Sequence, residues 1–247
     1  MKPEWKDAAL GAVGGAFVAI AFVYAAAVVG LLSVPANDRA FHDYLMAHPE
    51  IIVDMTNKLQ AQQAYADEHA LQRSVDRLGT KVFFDPRLAF VTGPVNAKTT
   101  LVEFFDYNCP YCRSSVPALM KFYKAHKSTV RIAFIEFPIK GPQSTIAARA
   151  ALAARKQGGK YIAFHFALME EDGPVDINTV MADAKKTGLD PIKLQSDMSA
   201  PDIDLAITAS HTLAGAAKID GTPFFIIDGK VHNGALNDAI LNQMAKG

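Results

Sequence analysis

TTLVEFFDYNCPYC, residues 99–112, decides how this chain folds and what it can do. Thr99 to Phe105 is rich in β-branched and aromatic residues and reads as a buried strand. Asp106-Tyr107-Asn108 turns the chain, and Pro110 suits the first position of a helix reaching about His126. Cys109 therefore stands where turn becomes helix. The unpaired amide N–H groups and positive dipole end of that helix favour its thiolate, the nucleophilic form of cysteine. Cys112 follows one helical turn later on the same face. Two such thiols can close a small disulfide, or reopen it through a mixed disulfide with another protein.

These are the only two cysteines in 247 residues. They cannot build a disulfide framework or a four-cysteine zinc site. An inert structural disulfide here would close so short a loop that it constrains the unfolded chain little. The strand–turn–helix context points to redox chemistry, with no metal and no cofactor. Lys and Arg total 25 against 25 Asp and Glu, so the basic excess of a nucleic-acid binder is missing. Half of the residues are hydrophobic, which excludes a disordered chain. The length allows one or two domains with a sizeable core.

Outward from the motif, Glu103 sits within the apolar strand, six residues before Cys109. A carboxyl on a strand covered on both faces is costly. Burial raises its pKa and lets it carry the proton that Cys112 must lose or gain; the alternative is an edge-strand glutamate facing water. Glu136, on the next strand (Val130 to Phe137), is a weaker case of the same argument. Gly221-Thr222-Pro223-Phe224 directly precedes a strand; Pro223 reads either as an ordinary strand-start proline or as a cis-proline exposing the Thr222 backbone to an extended peptide.

The rest of the chain falls into segments. Between Asp7 and Asp38 no residue is charged, and most are apolar. Roughly 20 apolar residues span a bilayer core as helix. The run exceeds the roughly 7–15 residues of a signal-peptide core, so residues 1–36 read as an uncleaved anchor, with a cleaved signal peptide as the alternative. Lys2 and Lys6 place the N-terminus in the cytoplasm and the rest outside, in a compartment where disulfides form. Residues 37–93 read as a helical stalk and linker. One helix reaches about Ala47 and a second runs from Pro49 to about Leu78. Ile52, Met55 and Leu59 have the spacing of an oligomer seam, diluted further on, so packing on the chain's own domain and oligomerisation both stand. Lys81 to Phe84 reads as a strand. Residues 94–247 form the main domain, with a helical insertion at about 142–218 broken at Gly158-Gly159, Gly173-Pro174 and Asp190-Pro191. Phe224 to Asp228 and Lys230 to Asn233 read as a hairpin on Asp228-Gly229, followed by a last helix.

LVEFFDYNCPYC (101–112), FIEFPIKGPQSTIAARAALAA (134–154) and GTPFFIIDG (221–229) together resemble the DsbA-like family of exported bacterial thiol–disulfide oxidoreductases. The resemblance covers roughly residues 40–247. It implies an α/β thioredoxin fold with an inserted helical domain, here preceded by a transmembrane helix and a stalk. It makes Cys109 the attacking cysteine and Cys112 the resolving one. Pro223 becomes the cis-proline, Thr222 its substrate-facing neighbour and Glu103 the buried acid, with Pro110 and Tyr111 beside the substrate.

Two departures shape the expectation. Tyr111 stands where the best-known oxidase of the family has His, and a tyrosine supplies no cationic imidazole, so the pair should be less oxidising. Thr222, rather than Val, is similar to the disulfide isomerases. Glutaredoxins share the CPYC tetrad, but the export segment and the helical insertion count against them. The expected function is forming or rearranging disulfides in exported proteins. The expected partners are cysteine-containing substrates, a membrane or soluble thiol redox partner, and a possible homo-oligomer through residues 38–78, with no nucleic acid. Two alternatives are a disulfide reductase and a periplasmic Cu(I)-binding protein using the same soft thiolates.

Overall fold

The structure is a computed structural model, and it describes residues 38–244. The anchor expected at residues 1–36 lies outside the described residues. Among those described, no helix is long and apolar enough to cross a membrane. The chain divides into two compact units, one ending at Gln63 and the other beginning at Ala64.

In the first unit lie α1 (Asp38–Ala47) and the start of α2 (Glu50–Leu78). Phe41, Tyr44, Met46, Ile52, Val53, Met55 and Leu59 are all exposed on these helices. The second unit starts with the remainder of α2, where Ser74 and Val75 become buried.

Gly79, at φ 73°, ends the helical path, and the chain enters a 3-10 helix, Thr80–Phe84. Here the structure corrects the strand expected at Lys81 to Phe84. Phe83 and Phe84 are both buried in one apolar cluster with Val75 and Phe104, and successive strand residues would have pointed to opposite faces. The edge strand is instead β1 (Phe90–Thr92), antiparallel to β3. Gly93 closes it at φ +86°, where an added Cβ would stand 2.0 Å from the carbonyl oxygen of Val130, so only glycine fits.

β2 (Thr99–Phe105), α3 (Pro110–His126) and β3 (Val130–Glu136) follow as the sequence predicts. The insertion comprises α4 (Pro142–Ala154), a 3-10 turn (Arg155–Gln157), α5 (Tyr161–Met169), α6 (Ile177–Lys186), α7 (Pro191–Asp197) and α8 (Pro201–Ala217). Two of these helices start at aspartate caps. Asp176 accepts from the N–H groups of Asn178 and Thr179, and Asp190 from those of Ile192 and Lys193. Each such cap contributes about 1 kcal/mol. β4 (Phe224–Ile227) and β5 (Lys230–Asn233) form the hairpin, and α9 (Asp238–Met244) closes the described chain. Asp228 and Gly229 both adopt positive φ, as a two-residue hairpin turn requires.

The sheet order is β1-β3-β2-β4-β5. β2 is central, parallel to β3 and antiparallel to β4, with Glu103 opposite Phe134 on one side and Phe225 on the other. Alternation along β2 divides the core. Leu101 and Phe105 face the cluster holding Cys109, Cys112 and the insertion helices; Val102 and Phe104 face the cluster under Phe83 and Ala217. Gln72 of α2 bonds through its side-chain amide to the carbonyl of Gly229 at 2.8 Å and accepts from the N–H of Val231 at 3.0 Å. It completes backbone groups of the hairpin turn and of the outermost strand that no further strand satisfies.

Candidate active site

Cys109 is the N-cap residue of α3, in extended conformation, with Pro110 opening the helix. Its N–H donates to the carbonyl of Asp106 at 3.1 Å. Both cysteines are free thiols and both are buried. The Thr222–Pro223 peptide bond is cis, and the Cys109 Sγ lies 3.1 Å from the carbonyl oxygen of Thr222. Pro223 is buried and Thr222 half-buried, whereas Pro110 and Tyr111 are exposed, Tyr111 by 68%.

The two thiols are pushed in opposite directions. Cys109 is lowered to about 5, first by the hydrogen bond from Cys112, then by Thr222 and by the backbone N–H groups of Cys112 and Tyr111, against desolvation. Cys112 is raised far above the usual thiol range, chiefly by burial, then by its bond to Cys109 and by the nearby Glu103. The Thr222 contacts belong to different states. A thiol can donate to the Thr222 carbonyl, but a thiolate cannot. The Thr222 hydroxyl, buried and without a partner, is the donor available to the thiolate.

Glu103 is 1% exposed, on the central strand and on the face of the cysteines. Its Oε2 has no hydrogen-bond partner, and burial pushes its carboxyl up to about 8. The edge-strand alternative is excluded, because β2 has a neighbour on each side.

The structure adds residues around the turn that the sequence reading did not single out. The Asp106 carboxylate accepts from the N–H groups of Asn108 (2.7 Å), Ile139 (2.7 Å) and Lys140 (2.8 Å) and from the Ser144 hydroxyl (2.7 Å). The Asn108 side chain accepts from the N–H of Val175 at 2.8 Å and donates to its carbonyl at 3.4 Å. The Tyr107 hydroxyl donates to Glu136 Oε1 at 3.2 Å and meets His165 Nδ1 at 3.0 Å, while Tyr161 donates to the same Glu136 oxygen at 3.0 Å. One signal was available. His165 is the lone titratable group among the apolar residues of IAFHFALM, and a buried imidazole needs a partner.

A reactive-looking thiol at a helix start, packed against a cis-proline loop on a five-stranded mixed sheet, defines a thioredoxin-fold redox protein. Residues 100–243 match the DSBA-like thioredoxin domain, more than half of the chain, and the protein belongs to that family. A second match, to the copper resistance protein ScsC N-terminal domain, covers residues 38–66. A thioredoxin-like oxidoreductase from Silicibacter pomeroyi DSS-3 is 41% identical and covers 66% of this chain and 93% of its own, with a TM-score of 0.61. BcfH from Salmonella enterica Typhimurium is 27% identical and covers 94% of this chain and 100% of its own, with a TM-score of 0.69. The Na(+)/H(+) antiporter NhaA 1 of Salinispora arenicola is 29% identical over 157 residues, 62% of this chain. The chain spans about a quarter of the length of the antiporters it matches.

Proposed function

We propose that the protein is a thiol–disulfide oxidoreductase acting on cysteine-containing exported proteins, with Cys109 as the attacking thiol. The observation that carries this reading is the geometry of the pair: Cys109 at a helix start, 3.1 Å from the carbonyl of the cis Thr222–Pro223 loop, with Cys112 buried on the next turn, which favours the Cys109 thiolate and keeps Cys112 protonated. The Cys109 thiolate attacks one sulfur of a substrate disulfide. A Cys109–substrate S–S bond forms, the substrate S–S bond breaks, and the second substrate sulfur leaves as a thiolate that takes up a proton. Cys112 then loses its proton, with Glu103 as the buried acceptor, and attacks the Cys109 sulfur. The Cys109–Cys112 disulfide forms, and the first substrate sulfur leaves with its own proton taken up. The substrate has gained two electrons and the pair has lost two. Run backward, the oxidised pair forms a disulfide in a substrate dithiol.

In this reading Thr222 and the backbone around Pro223, in contact with Cys109, pair with the substrate, and the exposed Pro110 and Tyr111 flank it. Because the Cys109 sulfur is closed off from solvent, an incoming disulfide reaches it by displacing the Thr222 contact. Tyr111 leaves the thiolate without a cationic neighbour of its own, which fits a mixed oxidase and isomerase better than a strong oxidant. The apolar segment before residue 37 supports an exported domain in the periplasm, tethered to the inner membrane by that segment or released by its cleavage. The apolar side chains exposed on α1 and α2 favour a homo-oligomer through residues 38–78, which sedimentation of chains with and without Ile52→Glu and Met55→Glu tests.

The deciding experiment replaces Cys112 with Ser. Covalent adducts with disulfide-containing, misfolded substrate proteins should accumulate on Cys109, each formed as Cys109 attacks a substrate disulfide, and should dissolve in reductant. An absence of adducts, together with unchanged refolding activity in Cys109→Ser, overturns the reading. The second reading, Cu(I) held by the two thiolates, is favoured by the family name carried by residues 38–66. Titration of the reduced protein with Cu(I) against a competing chelator distinguishes it.

A further inference from the structure

The three residues between β2 and Cys109 all make side-chain hydrogen bonds to the end of β3, the segment after it, or the insertion. Asp106 reaches the N–H groups that follow β3 and the first turn of α4. Asn108 pairs with both backbone groups of Val175, between α5 and α6. Tyr107 is the deepest, 1% exposed, and ends on Glu136 at the close of β3 and His165 in α5. Its backbone carbonyl is held too, by the Nε of Arg113 in α3 at 3.0 Å.

Proton accounting fixes the direction of the Tyr107 bonds. A phenol has one proton. Glu136 Oε1 accepts from Tyr161, and it accepts equally from Tyr107. Tyr107 then has only its lone pairs left for His165, so the imidazole carries its proton on Nδ1 and donates. Glu136 Oε1 thus accepts from both phenols, and Tyr107 accepts from His165.

Space-filling does not account for this arrangement. Tyr107 packs against the rings of Phe105 and His165, with Phe134 against the imidazole, and phenylalanines there would cost no desolvation. Instead the fold buries a carboxyl, an imidazole and two phenols. Burial holds His165 neutral, down at about 3, and pushes Glu136 up, so the cluster is uncharged. An uncharged hydrogen-bonded cluster anchors a chain segment without adding a net charge of its own.

We propose that Tyr107 is a positioning residue: by fastening the turn before Cys109 to Glu136 and His165, it makes the helical insertion the support that sets the geometry, and hence the reactivity, of the Cys109 thiol. The inference rests on the reading of Cys109 as the attacking thiol. The groups that favour the thiolate are the Cys112 thiol, the Thr222 hydroxyl and the N–H groups of Tyr111 and Cys112, all at the start of α3 or in the Thr222–Pro223 loop that Cys109 touches. A turn that can shift moves the sulfur relative to them. The titratable groups facing the sulfur are Cys112 and, behind it, Glu103. The Tyr107 hydroxyl acts on the sulfur only through the backbone.

The test compares Tyr107→Phe with Tyr161→Phe in the full chain. Both remove a bond to the same Glu136 oxygen, but only Tyr107 belongs to the turn. The readouts are the urea midpoint of unfolding and the rate of Cys109 alkylation by iodoacetamide from pH 3.5 to 9, with the site identified by mass spectrometry. Both variants should unfold at lower urea. Only Tyr107→Phe should move the alkylation midpoint upward, by about one pH unit, slowing the reaction roughly tenfold below the midpoint. An unmoved midpoint in Tyr107→Phe overturns the inference. So does an equal shift in Tyr161→Phe, which would place the control in the Glu136 carboxyl instead. Should Tyr107→Phe fail to fold, His165→Phe removes one of the two hydroxyl partners and carries the same expectation and the same refutation. A wild-type protein without a low alkylation midpoint fails at the earlier step, the assignment of Cys109, and is distinguishable from either result.

Discussion

The Cys109 sulfur and the Thr222 carbonyl oxygen, 113 residues apart in sequence, stand 3.1 Å from one another. The contact brings the start of α3 against the loop that leads into β4. It also sets the Thr222 hydroxyl, otherwise without a partner, where it can meet the sulfur once its proton has gone. The reduced pair is thereby divided into a thiol that ionises readily and one that does not.

The division predicts a simple labelling pattern. Iodoacetamide should modify Cys109 with a midpoint near pH 5, and Cys112 should remain unmodified through neutral pH. Peptide mass spectrometry after brief labelling at several pH values checks both statements. Modification of the two cysteines in parallel, near the midpoint of an ordinary thiol, would contradict them.

Thr222→Val removes the hydroxyl and keeps the shape and the backbone. A hydrogen bond to a charged group contributes about 1.5–3 kcal/mol, so the Cys109 midpoint should rise by about one unit. Thr222→Ser, which keeps a hydroxyl, should stay near wild type. The same alkylation profile measures both, and identical profiles for Val and Ser would remove the hydroxyl from the account.

Much of this site is legible in the sequence because its chemistry is local. The strand before Cys109, the helix after it, the glutamate within the strand and the Asp228-Gly229 hairpin each follow from residues within a few positions. What escapes is set by packing between distant segments. Phe83 and Phe84 look like strand residues, yet burial of both rings on one side of the sheet curls them into a 3-10 turn. β1 is made of strand-favouring Phe90, Val91 and Thr92, but three residues are too few to show a pattern, and it becomes a strand by pairing with the edge of β3. The partners of Asp106, Tyr107 and Asn108 lie 29 to 67 residues away where they join β3 and the insertion, so spacing cannot disclose them.

Glu103→Gln should alter how stability depends on pH in the reduced protein. The Glu103 carboxyl goes from 4.5 to about 8 on folding, so the folded state holds its proton across that interval. The wild-type side chain costs nothing below about pH 4.5 and progressively more as pH rises to about 8, a loss of roughly 4 kcal/mol. Cys109 acts in the opposite sense, since a thiol lowered on folding adds stability as pH rises above about 5. The wild-type curve therefore conceals the glutamate. The difference between wild type and Glu103→Gln isolates it, and should shift in favour of the variant between pH 5 and pH 8. Urea unfolding at the two pH values measures the difference, and a difference that does not change with pH would mean the carboxyl is not buried as described.

His165 sets the acid limit. Its imidazole is lowered by burial from 6.5 to about 3, and with Glu136 held neutral no adjacent negative charge offsets the penalty on the imidazolium. The unfolded chain binds the proton first. Stability from this group is thus fully present above about pH 6.5 and is lost as pH falls toward 3, by about 2 kcal/mol at pH 5. His165→Gln cannot take up the proton. It should be less stable than wild type at pH 7.5, where a buried aromatic partner of Tyr107 has been lost. The gap should narrow by about 2 kcal/mol at pH 5, because only the wild type is then losing stability through protonation. Urea midpoints at the two pH values decide it. A constant gap would show that the imidazole titrates normally in the folded protein, which is incompatible with a 1% exposed ring that donates to the Tyr107 hydroxyl among Phe105, Phe134 and Phe166.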